Sequence, residues 1–127
     1  MSLTANIVAY LNTNSSLTLD TNLFIGQVES DIPNKAAWVQ EVLGSTENES
    51  GIEQRIVDIF VQDITFLLAE TLAMEIYTLL AHKKGFSGAE LSSENILYCE
   101  PVGMPGIVSR DGKGRYVLLI TFVVRKR

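Results

Sequence analysis

The residues able to do acid–base or metal chemistry here are mainly carboxylates, with one histidine, His82, and one cysteine, Cys99. Asp58, Asp63, Glu70 and Glu75 follow one another closely enough to raise the question of a divalent-metal cluster, since hard cations take carboxylate oxygens. Helical geometry answers it: Glu70 and Glu75 point about 140° apart on a wheel of 100° per residue, and Asp63 stands where a helix N-cap belongs. No metal site is expected. His82 has neither a second His nor a Cys with which to share a metal, and no Ser sits in a nucleophile motif. Its expected role is a cation near a helix C-terminus. Cys99 reads as a small buried hydrophobe. The glycines of Gly103-Met104-Pro105-Gly106 and Asp111-Gly112-Lys113-Gly114 form neither a dinucleotide fingerprint nor a phosphate loop, and read as turns. No cofactor, catalytic residue or small-molecule substrate is expected, so the chain reads as a non-enzyme.

Composition points the same way. The chain has 127 residues, 46% of them hydrophobic, which suits one globular domain spanning residues 1–127. No apolar run approaches the ~20 residues of a membrane-spanning helix, and the N-terminus lacks the pattern of a signal peptide, so a cytoplasmic product is the default. Fifteen acidic against ten basic residues leave a net charge of −5, which repels a polyanion at long range. The cations Lys83-Lys84, Arg110, Lys113, Arg115 and Arg125-Lys126-Arg127 are small clusters, not a stripe that tracks a phosphate backbone. Specific nucleic-acid binding is not expected.

The elements that would position any interacting surface can be read along the chain. Leu3, Ile7, Val8 and Leu11 make one helical stripe over residues 3–11. Residues 23–28 and 37–43 read as strands, separated by a turn containing Pro33, which cannot donate to a ladder. Residues 44–51 are polar and acidic and predict an exposed loop, with Glu47 and Glu49 at its tip. Residues 55–62 alternate as a strand, with Val57, Ile59 and Val61 on one face. The longest helix is expected over 64–84, from an Asp63 cap to a Gly85 stop. Residues 96–102 form a strand that Pro101 assigns to an edge or a bulge. Residues 116–125 form a strand apolar on both faces, which suits a central position covered on both sides. The expected fold is α+β, in the order α-β-β-β-α-β-β: a mixed or antiparallel sheet of about five strands with an N-terminal helix and one long helix packed on it.

On the long helix, Ile64, Leu68, Ala69, Leu72, Ile76, Leu79 and Leu80 form one apolar arc, expected to cover the sheet. Phe66, Ala73, Met74 and Tyr77 remain on the far side. One stripe suffices for packing on a sheet, so this second set must meet either the N-terminal helix or another subunit. These four residues are therefore candidates for a subunit interface.

Three local strings carry a resemblance. Leu23-Phe24-Ile25-Gly26 before a Pro-containing acidic turn, residues 55–62 leading into a long Ala- and Leu-containing helix, and the closing residues 115–125 together resemble the bacteriophage minor capsid and tail-terminator (tail completion, head–tail joining) proteins. The likeness covers most of the chain in layout. It implies a structural virion protein, assembled in the bacterial host cytoplasm. Its subunits would form a homo-oligomeric, typically sixfold ring that docks on the tail tube protein, stops tube growth and presents the surface for the head connector. Glu47 and Glu49 would then line the lumen and repel passing DNA, or belong to a loop that orders on docking. Two other readings stand beside it: a small cytoplasmic protein-binding module of another system, and a metal-dependent hydrolase built on the strand–helix carboxylates.

Overall fold

A computed structural model describes residues 3–26, 32–47, 53–81, 96–110 and 114–126. The elements are α1 (Leu3–Asn14), β1 (Leu23–Ile25), β2 (Ala36–Glu47), β3 (Glu53–Asp63), α2 (Phe66–Leu80), β4 (Ile96–Pro101), β5 (Gly106–Arg110) and β6 (Tyr116–Lys126). The six strands form one mixed sheet in the order β1-β2-β3-β6-β4, with β5 also paired to β6. Only β1 is parallel to its neighbour. This is the expected α+β fold, with one strand more than the sequence reading assigns.

Period-two alternation builds the core. Ala37 and Val39 on β2, Val57, Ile59 and Val61 on β3, and Leu118, Ile120, Phe122 and Val124 on β6 share one face and are buried. Both helices lie in this same core: α1 against β1 and β2, α2 against β3 and β6. The α1 stripe of Leu3, Ile7, Val8 and Leu11 is buried as its spacing predicts. Each such side chain contributes roughly 1.5–3 kcal/mol on leaving water. Polar ties fix the layers: the Ser16 hydroxyl donates to Glu75 Oε1 at 2.7 Å, joining the end of α1 to α2. Buried Gln62 and Arg115 donate to the carbonyls of Pro33 (2.9 Å) and Ile32 (2.8 Å), holding the approach to β2 against the sheet.

Several boundaries differ from the sequence reading. Helix α2 starts two residues later, at Phe66, because Thr65 is its N-cap and its side chain accepts from the Leu68 N–H. Asp63 instead closes β3, paired with Tyr116, and its carboxylate accepts from the Ile64 N–H at 2.7 Å. The helix also faces differently. Its buried residues are Ala69, Leu72, Ala73, Ile76 and Leu80, while Leu68 and Ile64 are exposed. Ala73, assigned to the far side from the wheel, thus lies in the core. On the wheel Ala73 lies about 20° from Leu80, so the buried arc runs from Leu72 through Ile76, Ala69 and Leu80 to Ala73 and leaves out Leu68 and Ile64 at the other rim.

Strand β2 runs on to Glu47, pairing Thr46 with Gln54 and Glu47 with Glu53 after a register shift that begins at Val42. The start of the expected 44–51 loop is therefore a ladder. Backbone hydrogen bonds carry it where polar side chains mimic a loop. Strand β6 is central as expected, with β3 on one side and β4 and β5 on the other. Its second face, Leu119, Thr121 and Val123, is half-buried and carries no described helix, so cover on both sides is not what these residues show. Pro101 does lie on an edge strand. β5 is the unforeseen strand: Gly106-Ile107-Val108-Ser109-Arg110 continues the line of β4 along β6 after a bend at Val102–Pro105, and the Val102 N–H still reaches Thr121 O at 2.9 Å. Helix α2 also ends earlier than expected, at Leu80: Ala81 is its C-cap in an extended conformation, with its N–H donating to Tyr77 O at 2.7 Å. Residues 82–84, the Gly85 stop and the connector at 111–113 lie outside the described residues.

The rotated helix face makes a sharp prediction. Ala73→Leu should overpack the core and cost about 1–3 kcal/mol by urea denaturation, whereas Leu67→Ser should stay within about 0.5 kcal/mol. Equal effects at the two positions would mean that the helix faces otherwise.

Candidate interaction surfaces

The polar residues that could have formed a reactive centre have structural partners. Asp58 accepts from the Thr121 hydroxyl at 2.8 Å, Glu41 pairs with Arg55, and Glu100 pairs with Arg125 at 2.6 Å. Among the described residues no group of three or more His, Cys, Asp or Glu could hold a metal ion. Cys99 is buried in β4 opposite Val124. No described helix is long and apolar enough to cross a membrane.

What the surface offers is apolar contact. The first turn of α2 exposes Phe66, Leu67 (69%) and Leu68, next to exposed Ile64. Three consecutive apolar residues cannot all face one sheet at 100° per residue, so this turn must leave some of them outside. The second exposed set is Val102, Met104, Ile107 and Val108, along the β4–β5 bend and β5, where every residue of the strand is exposed. Tyr116 links the two sets. The Phe66 ring meets it edge-on at 6.1 Å, and the Arg110 guanidinium lies 4.7 Å over its ring, a cation–π contact.

The helix-free face of the sheet forms a third surface, built in rows by register. Trp38 stacks on Phe60 at 5.4 Å with Leu119 opposite Phe60. Next come Gln40, Asp58 and Thr121, then Val42, Ile56 and Val123. These side chains are mostly half-buried.

Of the residues assigned to an interface from sequence, only Phe66 lies in an exposed patch. Ala73 is fully buried, Met74 is half-buried, and Tyr77 is half-buried with its ring 6.4 Å from Phe122, packed against the protomer's own core. The four candidates Phe66, Ala73, Met74 and Tyr77 therefore do not form one exposed patch on this protomer. Glu47 lies in β2, and Glu49 lies outside the described residues. Leu67, Met104, Ile107 and Val108 are exposed apolar residues that sequence reasoning did not single out. The run Phe66-Leu67-Leu68 was a readable signal, whereas Ile107 and Val108 followed a glycine–proline turn that masked a strand.

No family model and no curated protein matches this sequence. A solved structure, described as "Virion of native gene transfer agent (GTA) particle", contains a chain of similar fold. The match has a TM-score of 0.60 at 10% identity and covers 95% of this chain and 84% of that chain. At that identity the likeness is one of fold.

If the β5 set is a contact surface and not hidden core, Met104→Ser with Ile107→Ser should leave unfolding within about 0.5 kcal/mol and lower the fluorescence of a bound hydrophobic dye. Phe122→Ala should cost about 3–5 kcal/mol. A loss of that size at Met104 and Ile107 would place them in the core.

Proposed function

We propose that this chain is a structural virion protein, and more narrowly a subunit of the homo-oligomeric ring that caps a phage tail tube, stops its elongation and forms the head–tail joining surface. The observation that carries the reading is the extent of the shared fold: nearly the whole chain follows a chain of a virion particle, with most of both molecules in the match. Two features of the protomer support it. Most of its exposed large apolar residues gather in two sets, around the start of α2 and along the β4–β5 bend and β5, with Leu19, Ile25 and Val42 elsewhere. The paired carboxylates Glu41, Asp58 and Glu100 are held in structural bonds. The partners in this reading are further copies of the chain, a tail tube protein and a head connector protein, with the product located in the virion after assembly in the bacterial host cytoplasm.

Glu47, the last residue of β2, and Glu49, two residues on in sequence, are the proposed lumen lining or docking segment. Carboxylates there would repel DNA phosphates and keep the duplex sliding. Phe66 belongs to the proposed subunit contact, with half-buried Met74 and Tyr77 further along α2, while Ala73 lies in the core and takes no part in it.

The test is assembly on the tube. Purified tail tube protein polymerised with this chain should give tubes of limited length carrying a ring of about six subunits at one end by negative-stain electron microscopy. Unlimited tubes with bare ends would defeat the tail-terminator reading. If Glu47 and Glu49 line the lumen, replacing both with Lys should leave ring formation intact and slow DNA passage in assembled particles. Unchanged DNA delivery would remove the lumen role.

A further inference from the structure

The sheet has two unfinished edges, on opposite sides, and they complement each other. On one side β5 is bonded to β6 along its inner edge only, and no described strand pairs its outer edge. Such an edge presents unpaired N–H and C=O groups, a template for strand addition. It is lined by exposed Ile107 and Val108, and its one charge is Arg110, which no carboxylate among the described residues bonds. On the other side β1 covers β2 only from Ala37 to Val39. Gly26, at φ 76°, turns the chain away there after its N–H donates to Val39 O at 2.7 Å. Beyond Val39 no described strand lies on that edge of β2, whose other edge pairs with β3. Its place is taken by an open cleft of about 450 Å³ lined by Thr4, Ile25, Gly26, Val39, Gln40 and Glu41. Ile25 is half exposed, and Glu41 is the one charged residue in that lining.

We infer that the β5 edge of one copy enters the cleft beside β2 of the next copy, extending the sheet from subunit to subunit. A second copy is the occupant because one chain carries both halves of the match: two strand edges with no described strand beside them, exposed Ile107 and Val108 against half-exposed Ile25, and Arg110 against Glu41. Glu41 already bonds Arg55, and a carboxylate has acceptor sites for a second guanidinium. The two edges are different surfaces on opposite sides of the sheet, so the contact is head-to-tail, the type that closes into rings by rotation. The inference deepens the ring reading and rests on it.

Cross-linking tests the contact in the full chain, at assembling concentration or on tail tubes, with a short bis-maleimide as the probe. Cys99 is buried and stays unreacted. A mixture of Val108→Cys and Val42→Cys chains should yield cross-linked dimers, and each variant alone should yield none. Arg110→Glu should lower that yield about tenfold, with Arg110→Lys retaining most of it. Dimers from Val108→Cys alone would mean that β5 pairs with itself and would overturn the inference, as would a yield indifferent to Arg110→Glu. A ring-sized mass by light scattering without the mixed cross-link overturns this contact and leaves the ring standing, pointing to an edge reserved for another protein's extended segment. A chain monomeric both in solution and on tubes overturns both.

Discussion

The antiparallel pairing of β3 with β6, unbroken from Glu53↔Lys126 to Asp63↔Tyr116, is the constraint on which the rest of the molecule depends. It joins segments far apart in the chain; the Asp58–Thr121 bond within it spans 63 residues. Closing such a distance costs chain entropy that only the rows of Val57, Ile59 and Val61 against Leu118, Ile120 and Phe122 offset. Once the ladder exists, it offers one apolar face to both helices and two edges to further strands. A slip of one residue would turn each of those side chains to the opposite face, so burial of one side holds the register.

The same geometry explains why the molecule has surface to spare. The two described helices lie on one face, and the opposite face is made of half-buried rows with a polar band at Gln40, Asp58 and Thr121. The sheet ends in a short β1 on one side and an exposed β5 on the other. Proteins commonly blunt such edges with charges or cover. Here β5 has Arg110 at its end and apolar side chains along its middle, an arrangement suited to assembly. Exposed apolar surface is what the described residues offer for contact.

The resemblance to tail-terminator proteins and the structural likeness to a virion chain rest on different observations. The first rests on three short strings and the order of elements. The second rests on backbone superposition at 10% identity, where side-chain chemistry has diverged and the packing arrangement persists. Fold alone does not carry function. The exposed apolar edge adds a site-level argument that does not pass through either likeness.

Local pattern determined much of this protein. The α1 stripe, the alternation of β3, the central place of β6 and the edge position of Pro101 were legible because each depends on periodicity or on a single residue's backbone chemistry. Tertiary structure decided what depends on a partner strand or on helix phase. Gly106-Ile107-Val108-Ser109-Arg110 is too short and too turn-like to announce a strand until β6 lies beside it, and Thr46 and Glu47 join a ladder only because Gln54 and Glu53 face them. Ala73 lies about 20° from Leu80 and about 40° from Ala69 on the wheel, at the rim of the expected arc, and only the sheet decided on which side of that rim the core ends. A stripe of side chains records which residues are apolar, but only the neighbouring backbone determines which of them are left facing outward.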